Sequence, residues 1–324
     1  MRPFDYTRAS DIAAATKSGQ DRAAAYIAGG TNIVDLMRLE VATPDRLVDI
    51  SRLPVDQITL SDDGLRIGAM VTNSALAANT LVQRRYPLLA RAILAGASGQ
   101  IRNKASSGGN LLQRTRCAWF QDIDAVCNKR TPGSGCAAME GPNKMNAVLG
   151  VSDQCIAAHP SDMAVALRAL AAKIEVTAAD GVRRIVEMDD FYRLPGDTPD
   201  RETCLAQGDL VTAIILPAPE GDRQIYRKVR DRASYAFALV SVAASLRIQD
   251  GRIRHAALAF GGVAPRPWAD SAVNATLTGQ APSDALFEKA GRLLVQDAVG
   301  HGGNDFKIGM VQRTLAAVLQ EACK

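Results

Sequence analysis

Cys117, Cys127, Cys136 and Cys155 follow one another as C-x9-C-x8-C-x18-C, placing four of the chain's six cysteines in one segment. Four thiolates complete the ligand set of an iron–sulfur cubane, and equally that of a structural zinc. Zinc favours short C-x2-4-C knuckles, which this segment lacks. A disulfide pair suits a small secreted domain, whereas this chain is long and opens, MRPFDYTRASD, without an apolar signal segment. Four unrelated buried cysteines are the plain alternative, but a segment rich in Gly, Pro, Asn and Lys offers them little core. Arg114, Arg116, Lys129, Arg130 and Lys144 surround it, and positive charge is expected to lower thiol pKa and offset thiolate charge. Spacing and surroundings therefore favour an iron–sulfur cluster on Cys117, Cys127, Cys136 and Cys155, [4Fe–4S] ahead of [2Fe–2S], with zinc as the second reading. Cys204 and Cys323 stand alone.

Two glycine turns form the other chemical feature: Ala28-Gly29-Gly30-Thr31-Asn32 and Ser106-Ser107-Gly108-Gly109-Asn110. Backbone N–H groups in such turns converge on phosphate, and glycine lets the ligand approach closely. The first turn leads into a helix, whose dipole favours an anion. Each alone reads more simply as a tight turn; the pair fits the pyrophosphate of a dinucleotide. With no G-x-G-x-x-G and no G-x4-G-K-[ST], a Rossmann or P-loop site is not indicated. His159, His255 and His301 are far apart in sequence and read as structural; His159, beside the cysteine segment, could also support it. No partner pattern for a serine or cysteine nucleophile is present.

The elements that must hold these features alternate helix and strand. Asp11 opens a helix that Gly19 ends, Tyr26–Ala28 is a short strand, and Ile33–Leu39 is an amphipathic helix. A strand at Leu47–Ile50 is succeeded by a hairpin, Gln57–Leu60 with Leu65–Ile67 around Asp63-Gly64. Val71–Leu81 and Tyr86–Ala97 read as helices. Ser161 caps a helix over Asp162–Ala172. Strands are expected at Ile174–Thr177, Arg183–Glu187 and Leu210–Leu216, then beyond PAPEGD, 217–222, at Gln224–Val229, Val240–Ile248 and Ile253–Phe260. Helices at Ser283–Val295 and Phe306–Ala322 close the chain. The class is α+β, with a last third that reads as its own domain. At 324 residues the chain is long enough for two or three domains. Its 38 basic and 34 acidic residues leave a net charge of +4, too mild to argue for nucleic acid. The longest apolar run, Tyr235–Leu246, is too short to cross a bilayer.

YIAGGTNIVDLMR, IGAMVTNSAL, PLLARAILAGASGQIRNKASSGGNLLQ, LVTAIILP and AFGGVAPRP, in this order, resemble the FAD-binding medium subunits of the molybdenum hydroxylases, the xanthine dehydrogenase and aldehyde oxidoreductase group. The pairing of AGGTN with QIRN…GGN carries that likeness. The cysteine insertion, RCAWF…CNKRTPGSGC…CIAAHPSD, is most similar to flavin subunits of bacterial periplasmic aldehyde oxidoreductases, which carry FAD and a [4Fe–4S] cluster. The 4-hydroxybenzoyl-CoA reductase flavin subunit is the nearest competitor.

The resemblance implies a vanillyl-alcohol-oxidase-type FAD-binding fold over 1–218, with subdomains of about 1–55 and 56–218 and the insertion at 114–158. A C-terminal domain of the CO dehydrogenase flavoprotein type covers 219–324. It implies that Tyr26, Ile27, Ala28, Gly29, Gly30, Thr31, Asn32, Ile33 and Val34 wrap the FAD pyrophosphate and ribityl chain. Ser106, Gly109 and Asn110 form the second phosphate-side turn. Asp162 contacts FAD, Val211 touches the ring system and Lys228 lies at the flavin. The substrate is then oxidised on a partner, a large subunit with the molybdenum cofactor, while a small subunit carries two [2Fe–2S] clusters. This chain, with no catalytic residue of its own, passes electrons to an external acceptor. The heterotrimer is expected in the periplasm, exported folded on a partner's signal, the cytoplasm being the alternative. The other readings are a xanthine dehydrogenase-like flavin subunit, a self-sufficient flavin oxidoreductase, or an assembly scaffold with a zinc-braced loop.

Overall fold

The computed structural model describes residues 1–61 and 64–324. The first layer is a three-stranded parallel sheet in the order β1-β3-β2, from β1 (Asp5–Arg8), β2 (Ala24–Ile27) and β3 (Arg46–Asp49). Two helices serve it, α1 (Ile12–Gly19) and α2 (Ile33–Arg38). Asp11 caps α1 by accepting from the Ala14 N–H, 2.8 Å. β1 escapes sequence pattern because all four of its residues are exposed, leaving no apolar alternation to read.

The second layer is a five-stranded antiparallel sheet, β4-β5-β8-β6-β7, built from β4 (Ile58–Ser61), β5 (Gly64–Gly68), β6 (Lys173–Thr177), β7 (Arg183–Glu187) and β8 (Leu210–Leu216). The Asp63 part of the expected hairpin turn lies outside the described residues. Between β5 and β6 the chain forms α3 (Asn73–Ala78), α4 (Thr80–Arg85), α5 (Pro87–Ala95), α6 (Gly99–Arg102), α7 (Ser107–Leu111), α8 (Ala118–Gln121) and α9 (Asp162–Ala169). The helix expected over Val71–Leu81 is in fact two. Asn79 adopts an extended backbone and its side chain accepts from the N–H groups of Leu81 and Val82, so it ends α3 and starts α4. A further short helix, α10 (Met188–Phe191), precedes β8.

The third layer is an antiparallel sheet, β11-β10-β9, from β9 (Arg223–Val229), β10 (Val240–Gln249) and β11 (Arg252–Gly261). α11 (Ser271–Leu277), α12 (Asp284–Leu294) and α13 (Phe306–Ala322) pack on it and form one core with Val240, Val242, Leu258 and Phe260. α11, which lacks a long apolar period, is fixed by its cap: Asp270 accepts from the Ala272 N–H at 2.8 Å. The sheet's other face meets α5 and α9. That wedging explains the composition of α9, where Met163 through Leu167 are all buried: only small and apolar side chains fit between two layers. The fold class is the α+β arrangement expected. Among the described residues no helix is long and apolar enough to cross a membrane.

Candidate functional site

The two glycine turns are packed against each other. A Cβ on Gly29 would lie 1.8 Å from the backbone oxygen of Lys104, just ahead of the second turn. Gly30 takes φ +75°, a left-handed conformation that suits glycine. The second turn is a short helix, α7, because Ser106 Oγ accepts from the Gly109 N–H at 3.2 Å and caps it. Asn32, at the end of the first turn, ties it to the start of the cysteine segment: its Oδ1 accepts from the Arg114 N–H at 2.9 Å. Both α2 and α7 are too short to build much of a dipole, so the oriented N–H groups of the turns count for more than the helix termini.

These turns open on a cavity of ≈ 480 Å³, within the range of cofactor sites. Thr31, Asn32, Gly109 and Asn110 line it from the turns, Asp162 from the start of α9 and Lys228 from β9. Asp162 and Lys228 are only 8 % and 3 % exposed and form an ion pair of 2.7 Å. Lys228 Nζ also donates to Ala95 O, 3.1 Å, and the Tyr226 hydroxyl donates to Asp162. The far wall is the segment Asp231–Phe237, in which Tyr235 holds a strained φ of 51°. Two buried amide atoms on the wall, Asn32 Nδ2 and Asn73 Oδ1, have no partner among the described residues. Unsatisfied buried amides on a cavity wall suit a polar ligand.

Several expected residues stand elsewhere. Val211 is buried in β8, opposite Val176, and does not line the cavity. Tyr26 turns toward α1, its hydroxyl within hydrogen-bonding distance of the carbonyls of Ala15 and Gly208. Ile27 and Val34 flank Gly30 from within the subdomain, while Ala28 and Ile33 only lead into and out of the turn. Asn73, Tyr235 and Phe237 line the cavity and had no sequence signal, since they come from separated segments, and Arg116, read from sequence only as a basic neighbour of the cysteines, joins them.

The four clustered cysteines do converge. Cys127 and Cys136 face each other across an isolated antiparallel bridge, and Cys117 and Cys155 join them around Leu36, Phe120 and Ile156. The segment therefore has a small apolar core of its own, contrary to the expectation from its polar composition. The Cys117 sulfur receives Asn146 Nδ2 at 3.4 Å and that of Cys155 the Ala157 N–H at 3.4 Å. The Ala138 and Ile156 N–H groups point at Cys136. Cys204 and Cys323 lie apart, the first against the main core and the second at the end of α13.

The basic surroundings act differently from expectation. Burial, the larger effect, raises the Cys136 thiol and pushes Cys155 up to about 11, against a smaller downward pull on Cys155 from Lys129. The cations are committed elsewhere: Arg114 and Lys129 both pair with Glu202, and Lys144 pairs with Asp231 at 2.8 Å. His159, half-buried, meets the Tyr192 ring edge-on and is driven down to about 4 by desolvation, so it is neutral near pH 7. Among the described residues no three His, Cys, Asp or Glu side chains are set to hold a single metal ion. A second cavity, ≈ 30 Å³, is lined by Cys117 and Asn146 together with Asp162 and Phe237. The cysteine cluster and the large cavity are thus neighbours.

Residues 2–219 match the family described as the FAD binding domain in molybdopterin dehydrogenase, and residues 224–322 the CO dehydrogenase flavoprotein C-terminal domain. The chain is 52% identical over 326 residues to the aldehyde oxidoreductase FAD-binding subunit PaoB of Escherichia coli (strain K12), covering 99% of each. It is 28% identical to the glyceraldehyde dehydrogenase medium chain of Sulfolobus acidocaldarius, over 88% of this chain and 84% of that one. Its fold is that of a chain of the reconstituted CO dehydrogenase from Oligotropha carboxidovorans, with a TM-score of 0.77 at 24% identity, covering 100% and 99%. The chain belongs to the FAD-binding medium subunits of the molybdenum hydroxylase family of oxidoreductases.

Proposed function

We propose that this chain is the FAD-carrying electron-transfer subunit of a heterotrimeric molybdenum-dependent aldehyde oxidoreductase. The observation that carries the reading is the convergence of both glycine turns, Asp162 and Lys228 on one cavity with unsatisfied amide atoms in its wall. FAD, when bound, supplies the chemistry of accepting electrons singly and releasing them as a pair. The chain's residues do the rest. The turns offer N–H donors and close approach to the pyrophosphate. The Asp162–Lys228 pair holds a fixed cation at the cavity wall, and Ile93, Ile101 and Met163 supply apolar surface that sheds water from the ring. Asp162, Gly109 and Asn110 are assigned to FAD on these grounds, with Ser106 capping the turn that presents Gly109.

The same proposal gives Cys117, Cys127, Cys136 and Cys155 a [4Fe–4S] cluster. Three of the four sulfurs face N–H donors, and N–H···S contacts are a recognised way of tuning such clusters. The partners are a molybdenum-cofactor large subunit and a [2Fe–2S] small subunit. Substrate chemistry resides there, as the family resemblance implies. The compartment proposed with this reading is the periplasm, reached with a signal-bearing partner, the cytoplasm being the alternative. Domains of 1–218 and 219–324 go with the reading.

The test is to purify the chain alone and with its partners. One non-covalent FAD released by acid, about four irons without zinc in anaerobic protein, and aldehyde oxidation only with the partners would uphold it. Zinc without iron would remove the cluster. Turnover by the chain alone would favour a self-sufficient flavoenzyme.

A further inference from the structure

We propose that Arg116, in the cysteine-rich segment, is a cofactor-binding residue whose guanidinium takes the pyrophosphate of FAD. The inference rests on the FAD reading above and adds a ligand contact that the glycine turns alone do not provide.

Four cationic side chains line the large cavity. Three are engaged within the protein: Lys228 with Asp162, Arg102 with the carbonyls of Gly96 and Ala97, and Arg232 with those of Ser234 and Tyr235. The fourth is Arg116. Its buried Nε has no hydrogen-bond partner among the described residues. Its guanidinium carbon sits 5.2 Å from the centroid of the Phe237 ring, which orients the plane without satisfying any N–H. A mostly buried arginine with an orphan donor needs a partner, and a planar fork of donors matches phosphate oxygens.

Position selects which end of the cofactor it meets. The Arg114 N–H is bound to Asn32 Oδ1, which ties the chain two residues before Arg116 to the first glycine turn. The neighbouring residue, Cys117, packs against Leu36 in the helix after that turn. Arg116 therefore stands beside the phosphate cradle, and the same backbone places the first cysteine of the cluster. One short segment would tie the nucleotide to the cysteine site.

The experiment compares full-length wild type, Arg116→Gln and Arg116→Lys, deflavinated and titrated with FAD and with riboflavin, which has no phosphate. Arg116→Gln should weaken FAD by about tenfold to a hundredfold, the worth of one charge-assisted contact, and leave riboflavin unchanged. Arg116→Lys should recover part of the loss, because a point charge replaces a fork. Should Arg116→Gln not fold, Arg116→Lys still decides: several-fold weaker FAD with unchanged riboflavin supports the contact. Equal weakening of FAD and riboflavin, or no change in either, overturns it. Wild type that binds no flavin at all would defeat the FAD reading itself and this inference with it.

Discussion

Gly29→Ala tests whether the spacing of the two turns sets FAD affinity. The added Cβ would lie 1.8 Å from Lys104 O, 2.6 Å from Lys104 C and 3.2 Å from the Ala105 nitrogen. All three are backbone atoms, so no side chain can swing aside. Non-bonded carbon contacts relax near about 3.5 Å, so the turns must part by more than an ångström. Overpacking of this kind costs about 1–3 kcal/mol. If the cradle opens to relieve it, FAD binding falls about 5- to 150-fold at 1.4 kcal/mol per decade. The assay is flavin titration of deflavinated protein, with melting temperature recorded with and without FAD. Gly99→Ala is the control, since a Cβ there meets nothing within 4 Å, and should keep wild-type affinity. Gly29→Ala protein with unchanged FAD affinity and melting temperature would refute the claim that close packing of the turns shapes the cradle.

Cys→Ser at position 117, 127, 136 or 155 should cut iron content, measured against protein, while Cys204→Ser and Cys323→Ser keep it; iron loss in either of the last two would show that the ligand set is misassigned. Asp162→Ala strands a buried ammonium and should cost about 3–5 kcal/mol in denaturant unfolding, much of it regained in Asp162→Ala/Lys228→Met; additive losses would mean the pair is not coupled. Lys307 is fully buried on α13, bonded to the carbonyls of Asn146 and Gly262, and burial lowers it to about 7. The unfolded chain then binds more protons than the folded one between that value and the ordinary lysine range, so this group makes stability rise as pH increases from about 7 toward about 10.4. Lys307→Met should flatten that rise in melting temperature, and an unaltered slope would place the titration elsewhere.

Much of the site was legible in the residues because its main parts are local. A glycine pair is visible wherever it sits, and Ser161 before an apolar run announces the cap of α9. The rest depends on where the fold brings distant segments. Asn73, Arg116 and Phe237 are ordinary residues until the third sheet closes over α5 and α9 and points them into one cavity. The weak pull of the basic residues on the cysteines escapes sequence reasoning for a related reason. Glu202 and Asp231, far along the chain beyond the segment, consume Arg114, Lys129 and Lys144, and burial then sets the thiol pKa. LVTAIILP forms a central strand, β8, whose side chains are taken up by packing, so only the family resemblance points from Val211 to the ring system.

The cysteine segment, read from its composition, should hang on its metal ligands. The structure shows it pinned from three sides by protein contacts as well. Lys129 and Arg114 hold it to Glu202, Asn32 holds its start to the first glycine turn, and Lys307 and Asn304 hold Asn146 and Ala147 to the third layer. Val148 and Leu149 even belong to the core of that layer. A metal site here would share the holding of its frame with these contacts, whereas small zinc domains depend on the metal alone. The consequence separates two roles the cysteines could have. Loss of one ligand should empty the cluster and loosen the stretch between Cys117 and Cys136, which has the fewest outside anchors, while the glycine turns, which touch the frame and not the sulfurs, keep their FAD. Hydrogen exchange confined to that stretch, with flavin content preserved, is the signature of an inserted cluster site; joint loss of iron and flavin would mean that the cluster helps to build the FAD cavity itself.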